Sequence, residues 1–266
     1  MFLFITLMYI FESMTIAERH KFVLDQLQSE GFVSVRELSN ALGVTKVTIR
    51  KDLRLLEDKG LLYRSHGSAT LVSPYVNEKP VDEKELVNVE DKQAIAKAAI
   101  ESLKMDEAII IGSGTTVGAF AQAIPRNAKL TILTSAMNVT MALLDCKDIE
   151  VVQLGGVVRK SSSSVVGHYA EEMMQSFACS KLYLSVDGIS LEHGFTTSNM
   201  MEAHLNAKMI QSVQKTIVLA DASKFGKKGF GKICNLEDVD QIITNKSASK
   251  QFVSTLEAKG IEVILV

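Results

Sequence analysis

The chain has 266 residues, with 29 Lys and Arg against 31 Asp and Glu, and a formal net charge of −2. Its 47 % apolar and 23 % charged residues exclude global disorder, and the near-neutral total excludes a uniformly basic protein, so any surface for nucleic acid has to be local. The three cysteines, Cys146, Cys179 and Cys234, are odd in number and far apart; they indicate neither a disulfide framework nor a thiolate metal site, and the chain reads as a reduced, cytoplasmic protein with no cofactor.

Residues 1–13 are almost wholly apolar but lack a basic leader and an A-x-A-like cleavage site, and the run is too short to span a bilayer. They read as an extension from an upstream start codon, with Met14 as the natural first residue. The competing reading is a membrane-touching or partner-binding segment.

A small domain is expected over 14–72. Ile16, Phe22, Val23 and Leu27 recur on a helical period over 15–29, and Gly31 follows as a stop. Ser34 caps a second helix that ends at Gly43, with Glu37 at capping-box spacing. Thr45 caps a third, running from Lys46 to Glu57. Two helices joined by a short turn containing glycine form the helix-turn-helix pattern. On the third helix Ile49, Leu53 and Leu56 gather on one side, while Lys46, Arg50, Lys51 and Arg54 spread over the other, flanked by Val47 and Thr48. A basic stripe of this kind suits a major groove lined by phosphates, and its guanidinium groups can read guanine edges. Two β-prone runs around Ser65-His-Gly-Ser68 predict a hairpin, a wing that places Arg64 and His66 on the DNA backbone or minor groove. The expected DNA-contact set is Ser34, Thr45, Lys46, Thr48, Arg50, Lys51, Arg54, Arg64 and His66. This domain holds nine basic and seven acidic side chains, so the signal lies in placement rather than in excess charge.

Pro74 and Pro80 mark a linker at 73–81, and the remainder, 82–266, reads as an α/β domain. A helix is expected near 82–104, with Ile95, Ala98, Ala99 and Leu103 on its apolar side. Apolar runs at 108–111, 130–133, 149–154, 181–186, 216–220, 240–243 and 261–266 then alternate with helical stretches, which predicts a mainly parallel sheet covered on both faces. Polar residues and glycines cluster at the carboxyl ends of these strands, the edge where open α/β sheets bind ligands. Gly112-Ser113-Gly114-Thr115-Thr116 joins a strand to a helix, so its N–H groups and hydroxyls can cradle an anion, with phosphate the natural guest; an ordinary tight turn would look the same. Asp187, Glu202 and Asp221 are placed to accept bonds from sugar hydroxyls or to act as general bases, or simply to cap helices. Lys224 can pair with a phosphate or with Asp221. Ser161–Ser164 reads as a mobile loop.

Together these residues carry a family resemblance. Thr48-Ile-Arg-Lys-Asp-Leu53, His66-Gly-Ser-Ala69, Ser113-Gly-Thr-Thr116, Leu154-Gly-Gly156, Asp187-Gly188, Gly194-Phe-Thr-Thr197 and Ala220-Asp-Ala-Ser-Lys-Phe-Gly226 occur in the order seen in DeoR-family transcriptional regulators, over about residues 15–266. The resemblance implies a winged helix-turn-helix head and an effector domain similar to ribose-5-phosphate isomerase. It also implies a repressor of sugar or polyol catabolic genes, released from its operator by a phosphorylated sugar, and a homodimer or higher homo-oligomer is expected on separate grounds, because its symmetry would pair half-sites. By that likeness the effector site would comprise Ser113, Gly114, Thr115, Thr116, Asn138, Gly155, Gly156, Asp187, Gly188, Thr197, Glu202, Asp221 and Lys224. Gly112 departs from the family, which commonly carries Asp there, and Ser68 replaces a usual Gly. The Lys-Gly-Gly-Gly-type run that isomerase-like enzymes carry after Asp-Gly is replaced by Glu192-His-Gly-Phe-Thr-Thr197, which favours sensing over turnover. The alternatives are a sugar-phosphate isomerase fused to a DNA-binding head, and a DNA-binding protein whose cleft no longer takes a ligand.

Overall fold

The computed structural model describes residues 14–65, 67–70 and 79–266; the extension expected over 1–13, most of the linker expected over 73–81 and the wing residue His66 lie outside them. The chain divides into two compact units, Met1–Pro74 and Tyr75–Val266.

In the first unit local signals start and stop every helix. Thr15 and Glu18 close a reciprocal capping box at the head of α1 (Ile16–Glu30), and Gly31, at φ 71°, ends it in the left-handed conformation that glycine adopts without strain. After β1 (Phe32–Ser34), Ser34 caps α2 (Val35–Leu42), and the left-handed Gly43 opens the turn to α3 (Lys46–Asp58), capped by Thr45. The hairpin β2 (Tyr63–Ser65) and β3 (Ser68–Thr70) follows, and β3 also pairs antiparallel with β1, so the sheet order is β1-β3-β2. The three-residue β1 was not expected. Ile49, Leu53 and Leu56 of α3 are buried against Val23, Leu27, Val33, Val35, Leu38, Leu62 and Ala69. Among them sits a charge: Asp52 is 3 % exposed, and Arg19 of α1 reaches both its oxygens, Nε to Oδ2 at 2.8 Å and Nη2 to Oδ1 at 3.1 Å. This two-point pair locks the crossing of α3 on α1.

The second unit begins with α4 (Val81–Glu85) and α5 (Val89–Ile100), where one helix over 82–104 was expected. The chain breaks at 86–88, with Asn88 in the left-handed region at φ 52°. The break is stabilised from inside, because the buried Lys92 ammonium donates to the carbonyls of Lys84 and, at 2.6 Å, of Val87. Then come β4 (Glu107–Ile111), α6 (Thr115–Ala123), β5 (Leu130–Thr134), α7 (Met137–Leu143), β6 (Ile149–Gln153), β7 (Val157–Arg159), β8 (Ser164–Val166), α8 (His168–Met174), β9 (Cys179–Leu184), β10 (Gly188–Ser190), β11 (Gly194–Thr197), α9 (Met200–Gln211), β12 (Val213–Leu219), β13 (Gly231–Cys234), β14 (Gln241–Thr244), α10 (Lys250–Glu257) and β15 (Glu262–Leu265).

Seven of these strands form one sheet, every adjacent pair parallel, in the order β15-β14-β12-β9-β4-β5-β6. Both of its faces are buried. Ile110, Leu182, Leu184 and Val218 pack into one cluster with residues of α8, α9 and α10; Ile109, Ile111, Tyr183, Ile217 and Leu219 pack into another with α5, α6 and α7. The alternation along each strand is the period-2 pleat, and burial on both sides explains why the strands read as unbroken apolar runs. A small antiparallel sheet, β10-β11-β13, and the hairpin β7–β8 complete the unit among the described residues. Ser161–Ser164, expected as a mobile loop, is instead the fastened turn of that hairpin. Ser164 is 1 % exposed and pairs with Arg159, and the Ser161 and Ser163 carbonyls accept from Val81 and Met137.

Removing one partner of a buried ion pair leaves an uncompensated charge, at a cost of about 3–5 kcal/mol. Asp52→Ala is therefore expected to destabilise the first unit by that order in urea unfolding followed by amide exchange in α3. The double variant Arg19→Met/Asp52→Leu is expected to recover most of the loss, because nothing charged is then stranded.

Candidate functional site

Among the described residues, one surface on each unit gathers most of the side chains that the sequence singled out. On the first it is the solvent face of α3. Lys46, Arg50, Lys51 and Arg54 are all exposed, as is Val47, while the opposite face is core. Thr45 Oγ1 accepts the Thr48 N–H at 3.2 Å and lies 3.0 Å from Thr48 Oγ1, so both hydroxyls sit at the helix start beside the cations. Ser34 is committed to its cap: its hydroxyl donates to Glu37 Oε2 at 2.7 Å and accepts the Glu37 N–H at 3.2 Å. Arg64, expected near the tip of the wing, lies along β2, with its Nε 2.6 Å from Glu57 Oε2 and its backbone N–H donating to Oε1. Burial alone would raise the Glu57 carboxyl; these bonds and the charges of Arg64 and Arg54 hold it below its ordinary value.

On the second unit the surface is an open cleft at the carboxyl edge of the sheet, lined by residues that include those following β4 and β9. From β4 the chain winds outward to β5 and β6 on one side, then returns through β9, β12, β14 and β15 on the other. Strand order therefore reverses between β4 and β9. The two connections leave in opposite directions and a crevice opens between them, the position at which doubly wound sheets take ligands.

Ser113, Gly114, Thr115 and Thr116 line one wall, where β4 gives way to α6. Ser113 and Thr116 are 9 % and 4 % exposed, and neither hydroxyl has a hydrogen-bond partner among the described residues. The N-terminus of α6 adds unpaired N–H groups and the positive end of its dipole. Gly114 is required here: at φ 125°, a Cβ would stand 2.7 Å from the Ser185 Cβ on the facing wall. Ser185 in turn accepts the Val117 N–H at 3.2 Å, tying the two walls together. Gly112 lies between the strands, donating to the Tyr183 carbonyl, and a Cβ there would come within 3.0 Å of Leu184 Cδ1.

The carboxylates occupy the other wall, and each is partnered. Asp187 receives the Lys84 ammonium at 2.8 Å, the Thr197 hydroxyl at 3.0 Å and the Ser198 N–H at 3.0 Å. Burial pushes this carboxyl up, but Lys84 and the Ser198 N–H outweigh it and hold the pKa at about 2. Glu202, on α9, pairs with Arg159 Nε at 3.3 Å and lies 3.4 Å from the Ser164 hydroxyl. Its Oε2 is 3.3 Å from the Thr197 hydroxyl, which has a single proton and serves Asp187 and Glu202 by turns. Lys224 lines the cleft and makes no ion pair among the described residues.

Of the thirteen expected effector residues, eight line the cleft: Ser113, Gly114, Thr115, Thr116, Asp187, Thr197, Glu202 and Lys224. Five do not. Asn138 packs against Gly118 of α6. Gly156 and Gly188 serve backbone crossings, since a Cβ would fall 2.7 Å from the Val166 carbonyl and 2.5 Å from that of Lys227 respectively; the Gly155 N–H points at the Met173 sulfur. Asp221 caps the 3-10 turn Ala222–Lys224 and accepts from Asn88 at 3.0 Å. Burial raises its carboxyl, but the Ser223 bonds and the Lys224 charge outweigh this and leave it below its ordinary value. Its part is to carry Lys224 into position. Sequence reasoning missed Lys84, Ser162, Ser185, Asn206 and, behind Glu202, Arg159. Asn206 is 4 % exposed with no side-chain partner among the described residues. It lies four residues after Glu202 on the otherwise apolar inner face of α9, a spacing that could have revealed it.

Among the described residues no group of three or more His, Cys, Asp or Glu could hold a metal, and no helix is long and apolar enough to cross a membrane. A DeoR-like helix-turn-helix domain matches residues 19–75 and a DeoR C-terminal sensor domain matches 87–246. A protein of Escherichia coli O157:H7, provisionally assigned as transcriptional repressor of the aga operon, is 36 % identical over 94 % of this chain and 94 % of its own. The transcriptional regulator GlpR of Haloferax volcanii is 33 % identical over 93 % of this chain and 97 % of its own. Among solved structures, a ribose 5-phosphate isomerase from Methanocaldococcus jannaschii aligns over 52 % of this chain and 55 % of its own, at 15 % identity and a TM-score of 0.39.

A carboxyl held low stabilises the fold above its unfolded value near 3.8, and that stabilisation is lost as pH falls through about 2. The Asp187 carboxyl carbon is therefore expected to titrate at about 2 by NMR. In Lys84→Met its midpoint should move up, because burial then acts with less opposition.

Proposed function

The chain belongs to the DeoR family of transcriptional regulators, and on that premise we propose that it represses genes of sugar or polyol catabolism and leaves its operator when a phosphorylated sugar enters the cleft. The observation that carries this reading is the pair of hydroxyls of Ser113 and Thr116, unpartnered among the described residues, at the N-terminus of α6, with Lys224, which makes no ion pair among the described residues, lining the same cleft. Donors so arranged suit a phosphate, and the partnered carboxylates opposite suit the hydroxyls of the attached sugar. The naming of the Escherichia coli relative supports repression as the sign of regulation.

The α3 face would enter the major groove of one half-site, Arg50 reading a base edge while Lys46, Lys51 and Arg54 meet phosphates, and a symmetric oligomer would pair two half-sites in the cytoplasm. A ligand shifts such an equilibrium only through different affinities for the two states, with typical couplings of about 1–3 kcal/mol. One observation favours a second reading, an isomerase: Lys84 brings to Asp187 the lysine that the sequence lacks after Gly188. Against it, Glu202 is already paired with Arg159 and is not free to act as a base. Turnover of pentose or hexose phosphates, lost in Glu202→Gln, would establish that reading.

Arg50→Ala is expected to weaken specific operator binding by about 1–3 kcal/mol, or roughly 5–150-fold, with ligand binding intact. Lys46→Ala should weaken all sequences alike and reduce the salt slope by about 1. Gel-shift titrations against the gene's upstream region check both, and unchanged affinity in Arg50→Ala would overturn the assignment of α3. In a thermal-shift panel of phosphorylated sugars, at least one is expected to raise the Tm of the wild-type chain, and the double variant Ser113→Ala/Thr116→Val should lose that response.

A further inference from the structure

Lys84 joins the cleft to the segment through which the two units are connected in sequence. Its ammonium lines the same cleft as Ser113, Thr116 and Lys224 and lies 2.8 Å from Asp187 Oδ1. Its backbone belongs to α4, which starts directly after Pro80 and is the first helix after the residues joining the units.

Little holds α4 in place. Five residues are far too few for a helix to persist unaided, and its N-terminus has no side-chain cap. Val81 is buried and its N–H donates to the Ser161 carbonyl at 2.7 Å; the Lys84 carbonyl accepts from Lys92. Asp82, Glu83 and Glu85 are exposed. Among the described residues the ion pair across the cleft is one of three polar attachments of α4 to elements outside it, and the one of them made by a cleft-lining side chain.

The two partners in that pair differ in freedom. Asp187 is buried and fixed by Thr197 and the Ser198 N–H, whereas the Lys84 side chain is 26 % exposed on a flexible stem. A phosphate at Ser113–Thr116 would present a second, more highly charged acceptor to an ammonium that can turn toward it.

We propose that Lys84 is a ligand-responsive latch: it exchanges its Asp187 partner for the phosphate of the bound effector, and α4 shifts with it. This rests on the reading of the cleft as a phosphate site. The exchange converts an event in the cleft into a displacement at the segment leading to the DNA-binding unit, with Lys92 and the Ser161 carbonyl as the pivots. Asp187 is then a competitor for the lysine as well as a wall of the site.

The test is hydrogen–deuterium exchange on the full chain, titrated with inorganic phosphate. In the wild type, phosphate is expected to protect amides 113–118 and to change exchange over 81–88. Lys84→Met should bind phosphate about tenfold more weakly, the loss expected for a hydrogen bond to a charged group, and its 81–88 segment should no longer respond. Lys84→Arg keeps a cation and should retain both responses, which separates lost charge from faulty folding. Asp187→Asn should bind phosphate several-fold more tightly, with 81–88 already shifted. Protection of 113–118 with 81–88 unmoved, or wild-type affinity in Lys84→Met, would overturn the latch and leave the phosphate site standing. Absence of protection at 113–118 would overturn the site and the latch together.

Discussion

The pairing of β4 with β9 is the constraint on which the larger unit depends. These strands are neighbours in the sheet although about seventy residues separate them in the chain, and they run parallel through Ile109, Ile110 and Ile111 opposite Lys181, Leu182 and Tyr183. Parallel strands share one carboxyl edge, so the connections leaving β4 and β9 emerge side by side. Because one goes on to β5 and the other to the opposite half of the sheet, no backbone crosses the gap. Ser113–Thr116 and Ser185–Asp187 face each other across it. Gly112, whose N–H bonds Tyr183 across the same ladder, shows how tightly the walls are drawn together at their base.

What holds the rim is polar. Asp187, Asp221 and Glu202 take partners from Lys84, Asn88 and Arg159, so α4, the start of α5 and the β7–β8 hairpin each reach a carboxylate by a side-chain contact. Partly buried pairs give back much of what they gain by attraction in lost hydration, so they add little to overall stability. Their value is geometric. They position segments that have small hydrophobic footprints of their own, and they leave the rim responsive to charge where the sheet beneath is rigid.

The contrast between sheet and rim also explains what could be read in the sequence. Most helix starts and stops in the smaller unit were legible because capping is local: Ser34 and Thr45 lie within three residues of the amides they serve, and Gly31 and Gly43 end helices by their own conformation. The parallel strands were legible because burial on both faces writes itself as an unbroken apolar run. The turn at Ser113–Thr116 was legible for the same local reason. Nothing in the sequence marks Asp52 as buried, because its partner lies 33 residues earlier. The break before α5 was hidden because the ammonium that stabilises it comes from Lys92, inside an otherwise regular helical pattern. Lys84 and Arg159 carry no signal that a solvated surface lysine or arginine lacks. Gly156 and Gly188 lie outside the cleft lining and make close backbone approaches instead, and the sequence does not separate the two, since a close approach of backbone to backbone and of backbone to ligand ask for the same residue.

The Arg19–Asp52 pair also bears on how this protein can change over time. It fixes the roll and height of α3 from the buried side, and the hydrophobic contacts of Ile49, Leu53 and Leu56 do the rest. Nothing on the opposite side of the helix is needed for that purpose. Lys46, Val47, Arg50, Lys51 and Arg54 can be rewritten one at a time without disturbing the scaffold that presents them, so duplicated copies of such a gene could diverge in what they read while keeping a common frame. A feature that looks like a cost in folding, a charge buried in a small core, thereby becomes a source of evolutionary latitude.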